Sequence, residues 1–262
     1  MTEDEIDARH AFGQALIVEA GALALDYFRR VGALTVSAKG PQDVVSEADV
    51  DVERMIRGRL AAAFPGDAFL GEESGRTDFA PGQGLWVVDP IDGTQPFVSG
   101  MSSWCVSIAF VEGNRPRLGY VVAPARGELF VGRVGQGATL NGGPIAVRQV
   151  ASVRDGIVAA GYSLRLPPEA FLPAFTRLLE AGGVFYRDGS GALALAYVAC
   201  GRLIGYAEAQ INAWDCLGSL ALIEAAGGVS NDFLAGDGLW SGAPLVAASP
   251  ELYPELAAIW FG

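Results

Sequence analysis

The sequence predicts an α/β protein built of alternating helix and sheet layers, and three observations carry that reading. A long amphipathic helix opens the chain, strand-period segments broken by glycine turns follow, and beyond about Val150 strands and helices alternate. Hydrophobic residues make up 51% of the chain and charged residues 18%, which supports a large core and argues against disorder. We expect an N-terminal α+β part, 1–150, with an antiparallel sheet, and a C-terminal α/β part, 151–262. No flexible linker marks the boundary, so the two parts are expected to pack as one unit.

Taken in order, Phe12, Leu16, Leu23 and Tyr27 recur at helical steps between Glu3 and Arg30, and Gly32 ends the helix. Ser46 and Asp49 have capping-box spacing, and Val52, Ile56, Leu60 and Ala63 continue a helix as far as Pro65-Gly66. Ala68 to Gly71 reads as a short strand running into Glu72-Glu73, and a polar loop with Pro81-Gly82 follows. Leu85 to Val88 is a buried strand that delivers Asp89-Pro90-Ile91-Asp92-Gly93-Thr94 at its end, where Gly93-Thr94 is suited to open a helix. Trp104 to Phe110 alternates with period two, strands follow near Leu118 to Val122 and Glu128 to Val131, and Gly135, Gly137, Gly142 and Gly143 mark turns. The later strands are expected near Ile157, at Val184 to Tyr186, Leu203 to Tyr206 and near Val246. The later helices are expected at Pro168 to Glu180, Ser190 to Cys200, Ala213 to Ala226 and from Pro250.

Charge and residue inventory exclude several chemistries. A net charge of −12 disfavours a nucleic-acid surface or an anionic membrane face. The lone His10 lies far from any cluster, which removes histidine-ligated zinc and Ser-His-Asp triads. Cys105, Cys200 and Cys216 show neither disulfide nor zinc spacing, and no arginine stands six residues after any of them for a phosphatase loop. Lys39, the single lysine, is not preceded by a Walker loop. Reduced thiols, an acidic N-terminus and the lack of an uninterrupted apolar run of membrane-spanning length lead us to expect a cytoplasmic protein.

What remains is carboxylate chemistry. Glu72, Glu73, Asp89 and Asp92 fall at strand ends, and Asp49 and Asp215 fall at helix starts. Oxygen ligands of this kind suit hard cations such as Mg²⁺ or Mn²⁺. Each acid also has a plainer explanation: Ser46-x-x-Asp49 and Asn212-x-x-Asp215 fit helix caps, Glu72-Glu73 a solvated turn and Asp89-Pro90 a turn. Those explanations leave unexplained why every acid sits at an element end beside apolar strand. Gly189-Ser190-Gly191-Ala192-Leu193-Ala194, with Glu208 after the next strand, imitates a dinucleotide fingerprint but lacks a second half. Asp49-Val50-Asp51 imitates an aspartyl-phosphate motif, with Glu53 where a hydroxyl or valine is wanted.

Gly71-Glu72-Glu73, Trp86-Val87-Val88-Asp89-Pro90-Ile91-Asp92-Gly93-Thr94 and Trp214-Asp215 before Glu224-Ala225-Ala226-Gly227-Gly228 resemble the inositol monophosphatase family of magnesium-dependent, lithium-sensitive phosphatases. Lys39 and Asp43 to Asp49 extend the resemblance upstream, in the family's order. The resemblance implies a sugar-phosphatase-like layered fold, a homodimer, and hydrolysis of a small phosphorylated metabolite with more than one Mg²⁺. Glu72, Asp89, the Ile91 carbonyl, Asp92 and Asp215 then match its metal ligands. Thr94, Asp49 and Glu72 match its water-activating residues, and Asp92, Gly93, Thr94, Ser190, Gly191 and Glu208 its substrate contacts.

The chain departs from the commoner family pattern at Gln95-Pro96, in place of threonine and asparagine, and at Ala207, where an aromatic is frequent. Inositol 1-phosphate is the leading substrate on this resemblance. Histidinol phosphate is the runner-up, ahead of 3′-phosphoadenosine 5′-phosphate and fructose 1,6-bisphosphate. A scaffold role with the transcription machinery, as thought for some family members, is the non-enzymatic alternative.

Overall fold

The structure is a computed structural model. It describes residues 1–40, 43–76, 80, 82–163 and 165–262, without the side chains of 33, 38–40, 43, 44 and 76. Pro81 and the side chains of Lys39, Asp43 and Val44, named above, lie outside the described residues.

The helices are α1 (Glu3–Phe28), α2 (Glu47–Ala63), α3 (Thr94–Val98), α4 (Pro168–Glu180), α5 (Gly191–Ala199), α6 (Ala213–Ala225), α7 (Gly238–Ser241) and α8 (Tyr253–Phe261). The strands of the first half are β1 (Val36–Gly40), β2 (Asp43–Ser46), β3 (Ala68–Gly71), β4 (Gly75–Arg76), β5 (Leu85–Asp92), β6 (Cys105–Glu112), β7 (Arg115–Ala123), β8 (Glu128–Arg133), β9 (Gly137–Leu140) and β10 (Gly143–Ile145). Those of the second half are β11 (Ile157–Ala160), β12 (Val184–Tyr186), β13 (Gly205–Ile211), β14 (Val229–Ser230) and β15 (Ala243–Ala248).

An eight-stranded sheet runs β10-β9-β8-β7-β6-β5-β3-β4, and a five-stranded sheet runs β12-β11-β13-β15-β14. Helices and sheets alternate in layers. Ile6, Leu16, Ile17 and Ala20 of α1, with Val52 and Ile56 of α2, close one face of the larger sheet over Trp86, Ile108 and Tyr120. On its other face α5 and α6 are buried between the two sheets, and this central layer is almost wholly apolar: Leu193, Leu195, Val198, Leu217 and Leu222 are all 0% exposed. The outer face of the smaller sheet is covered by α4 and α8 through Leu178, Leu256 and Trp260, with Leu252 just before α8. By length and composition α1 could cross a membrane, with a mean hydropathy of 1.2 over 18 residues, yet its stripe of buried residues is spent on the sheet.

The differences from the sequence expectation have physical causes. β5 does not end before its acids but continues through Asp92, with an irregular register against β6 between Asp89 and Asp92. Its parallel pairing with β3 stops at Val88, so Pro90 interrupts no ladder on that side. The strand expected at Leu203 to Tyr206 lies at Gly205–Ile211, because Glu208 and Gln210 disguise its pattern. The last helix starts at Tyr253, not Pro250, with Pro254 in its first turn. The hairpin β1–β2 and the short strands β9, β10 and β14 escaped periodicity because each has five or fewer residues.

Candidate active site

Three acids converge at the end of β5 and the start of α6. Carboxylate oxygens of Asp89, Asp92 and Asp215 lie within 4.8 Å of one another. Asp89 is 1% exposed and its Oδ1 accepts the Ile91 N–H at 2.9 Å, which holds the kink in the strand. Asp92 Oδ2 accepts Ser190 Oγ–H at 2.7 Å and the Ala192 N–H at 2.6 Å, with the Cys105 thiol 3.9 Å away. Asp215 Oδ2 accepts the Asn212 N–H and Nδ2–H, both at 3.2 Å.

Burial pushes all three carboxyls up in the absence of a cation. Asp89 rises well above the usual range, first through burial and then through the charges of Glu72, Asp92 and Asp215. Asp92 is pushed up to about 8 by burial and by Asp215. Asp215 rises through burial, opposed by Arg165. Among the described side chains, Asp89, Asp92 and Asp215 form no ion pair with lysine or arginine; their hydrogen bonds come from hydroxyl, amide and thiol groups. Three ionised carboxylates at this spacing require a counter-charge, and an all-oxygen donor set fits a hard divalent cation.

A second group forms where α2 meets the loop after β5. Asp49 is 0% exposed and accepts the Ser46 N–H at 2.9 Å and Ser46 Oγ–H at 2.6 Å on Oδ2. Its Oδ1 accepts Thr94 Oγ1–H at 3.2 Å, and the Thr94 hydroxyl also lies 3.1 Å from the Ile91 carbonyl oxygen. Burial raises the Asp49 carboxyl, and the Ser46 and Thr94 donors oppose that rise. Gly93 turns the chain from β5 into α3 at φ +95, where a Cβ would stand 2.8 Å from the Ser103 carbonyl oxygen. Only glycine suits that corner. Pro96 occupies the first turn of α3, as its fixed φ permits.

Glu72, Asp92, Gly93, Thr94 and Asp215 open onto one cavity of about 1020 Å³. Ser190, Gly191 and Glu208 line it as well. Burial pushes Glu208 up to about 7, although the Tyr206 hydroxyl donates to its Oε2 and opposes the shift. Tyr206 and Glu208 share one face of β13, so the aromatic expected before the acid stands two residues earlier.

The structure therefore brings Glu72, Asp89, Asp92, Gly93, Thr94, Ser190, Gly191, Glu208 and Asp215 to one region, and Asp49 behind Thr94. The cap explanation holds for Asp49 and Asp215, since each is the N3 residue of a capping box, and the same residues also stand beside Thr94 and beside Asp89 and Asp92 respectively. The dinucleotide fingerprint opens a helix after a strand, as its pattern predicts, but Asp92 itself takes the Ser190 hydroxyl and the Ala192 N–H at that helix start. Sequence reasoning missed the Ala192 N–H, Tyr206, and an outer wall of Tyr162, Phe171 and Phe175 with Arg165 and Arg187. No motif announces these; they come from five separate elements and loops.

The inositol monophosphatase family model matches residues 6–260. The chain is 36% identical over 246 residues to an inositol-1-monophosphatase of Mesorhizobium japonicum, covering 93% of this chain and 92% of that protein. It is 32% identical over 242 residues to Nus factor SuhB of Haemophilus influenzae, covering 91% and 90%. Its fold superposes on the inositol monophosphatase of Anabaena (Nostoc) sp. with a TM-score of 0.84 at 28% identity, over 98% of this chain and 96% of that one. With the family pattern matched from the first helix to the last and the acids gathered at one cavity, this chain belongs to the inositol monophosphatase family.

Proposed function

We propose that the protein hydrolyses a small phosphate monoester with Mg²⁺, inositol 1-phosphate being the leading substrate. The observation that carries the reading is the convergence of Asp89, Asp92 and Asp215 within 4.8 Å, with Asp92 and Asp215 opening onto a cavity that Thr94 also lines. Glu72, Asp89, the Ile91 carbonyl, Asp92 and Asp215 would hold the cations. Bound there, Mg²⁺ supplies Lewis-acid polarisation of phosphoryl oxygens, lowers the pKa of water and stabilises the departing alkoxide.

The chain's own residues do the positioning. The Thr94 hydroxyl donates to Asp49 and so presents a lone pair to the attacking water. Water oxygen bonds to phosphorus opposite the ester oxygen and its proton passes through Thr94 to Asp49 with Glu72 assisting. The P–O ester bond breaks with its electron pair on the ester oxygen, which takes a proton from solvent to leave as the alcohol, and Asp49 returns its proton to solvent. The Gly93 and Thr94 amides, at the start of α3, face the phosphate. Ser190, Gly191 and Glu208 face the alcohol. A phosphate-release assay over inositol phosphates, histidinol phosphate, fructose 1,6-bisphosphate and 3′-phosphoadenosine 5′-phosphate, with and without Mg²⁺ and Li⁺, tests the reading. Release only with Mg²⁺, suppressed by Li⁺, is expected; metal-independent release, or none from any compound, refutes it.

A second substrate reading rests on the cavity rim. Arg165 and Arg187 line it without an ion pair among the described residues, beside Tyr162 and Phe171, whose rings are 5.1 Å apart. Two guanidinium groups at the mouth favour a substrate with a second anionic group over a neutral polyol. A bisphosphate outrunning inositol 1-phosphate in the same panel would select it. The relative named as a Nus factor leaves a transcription-complex partner as the non-enzymatic reading, favoured by stable partners in a pull-down together with no turnover.

A further inference from the structure

We infer that Glu53 is a positioning residue for Glu72, and this inference rests on the metal-dependent reading above. Glu53 is 2% exposed and lies on α2, four residues after Asp49 and therefore on the same helix face. Two acids buried at this spacing repel unless each is given donors. Asp49 receives Ser46 and Thr94; Glu53 receives backbone. Its Oε2 accepts the Glu73 N–H and its Oε1 the Ser74 N–H, each at 2.8 Å. The preceding amide, that of Glu72, donates to the Val88 carbonyl of β5 at 3.2 Å.

Three successive N–H groups are thereby assigned, and the turn carrying Glu72 is pinned between β5 and α2. Gly71 makes the approach possible. A Cβ there would stand 2.3 Å from Glu53 Oε2. One rigid helix consequently sets two edges of the site, the Thr94 hydroxyl through Asp49 and the Glu72 carboxylate through Glu53. Glu53 does not touch substrate; it acts by fixing where a neighbouring ligand stands, as outer partners of metal ligands do.

The test compares wild type, Glu53→Gln, Gly71→Ala, Glu72→Gln and the double variant Glu53→Gln/Glu72→Gln, each confirmed to melt cooperatively. Mg²⁺ binding by calorimetry is the first readout and kcat at saturating Mg²⁺ the second. Glutamine keeps the shape of Glu53 but offers one acceptor oxygen in place of two, so one turn amide loses its partner. We expect Glu53→Gln to weaken Mg²⁺ binding about tenfold. Gly71→Ala, which displaces the same carboxylate, should do the same. The double variant should bind Mg²⁺ no more weakly than Glu72→Gln alone, because Glu53 works through Glu72. Wild-type binding in Glu53→Gln while Glu72→Gln is impaired, or full additivity in the double variant, overturns the inference and leaves the site reading standing. Unchanged binding in Glu72→Gln overturns both.

Discussion

Asp49 and Asp215 occupy the same place in two capping boxes, Ser46-x-x-Asp49 on α2 and Asn212-x-x-Asp215 on α6. Asp49 is fully enclosed, with donors on both oxygens, one of them a hydroxyl that faces the cavity. Asp215 receives its cap donors on Oδ2 and confronts Asp89 and Asp92. Donors around a carboxylate hold it ionised and in one orientation, whereas a carboxylate facing other carboxylates is driven toward protonation unless a cation lies between them. Two further boxes of the same kind, Thr2 with Glu5 and Ser152 with Asp155, stand at the surface with neither arrangement. The motif supplies the helix start, and the neighbours supply the chemistry.

The contrast breaks most visibly at Asp215. Asp215→Asn should lower turnover on the order of a thousandfold, the loss of several kcal/mol of transition-state stabilisation. It should also weaken Mg²⁺ binding while the metal-free protein melts no lower than wild type, since one like charge leaves the cluster. Steady-state kinetics with calorimetry and a melting curve check both halves. Near-normal turnover would remove Asp215 from the proposed ligand set.

Asp49→Asn should act differently. The amide can still accept from Ser46 but cannot take a proton, so kcat should fall about a hundredfold. Mg²⁺ binding should be close to that of wild type. A large loss of Mg²⁺ affinity would mean that Asp49 belongs with the cation-holding acids, and the distinction between the two caps would collapse.

The smallest expected effect is a pH-dependent gain in stability. A carboxyl whose pKa is higher folded than unfolded contributes stability that is complete below the unfolded value, about 4, and is lost as pH rises through the folded value. For Asp92 that folded value is about 8, and Asp89 and Asp215 are shifted the same way. Metal-free protein should therefore lose stability as pH rises from about 4 through about 8, and Mg²⁺ should restore it. At a hundredfold excess over Kd the gain is about 2.7 kcal/mol, or roughly 5–10 °C in Tm. Differential scanning fluorimetry at pH 6 and pH 9 should show the larger Mg²⁺ gain at pH 9. An equal gain at both pH values would mean that the cluster does not titrate against the cation.

Much of the architecture was legible in the chain. Helical spacing marked α1 and α2, period two marked β6, and the apolar run at Leu85 marked a buried strand. The hidden elements were short or polar on the surface: β1 and β2, β9 and β10, and β13 behind Glu208 and Gln210. At the site, the acids and Gly93-Thr94 were visible because their order along the chain matches a family pattern. Tyr206 beside Glu208 and the Ala192 N–H on Asp92 were not, because those contacts join residues with no fixed spacing or a common two-residue one.

The sequence by itself determined which residues could end a strand or open a helix, and it pointed to carboxylates at element ends as the groups to examine. Tertiary structure alone decided which carboxylate faces which neighbour. Capping is a local interaction, readable over four residues, whereas Asp92 meets Ser190 across 98 residues and Thr94 meets Asp49 across 45. The first closes when the apolar layer of α5 and α6 is buried between the two sheets, and the second when α2 packs on the opposite face of the larger sheet. Burial of that layer is also what desolvates the acids and gives them their need for a cation.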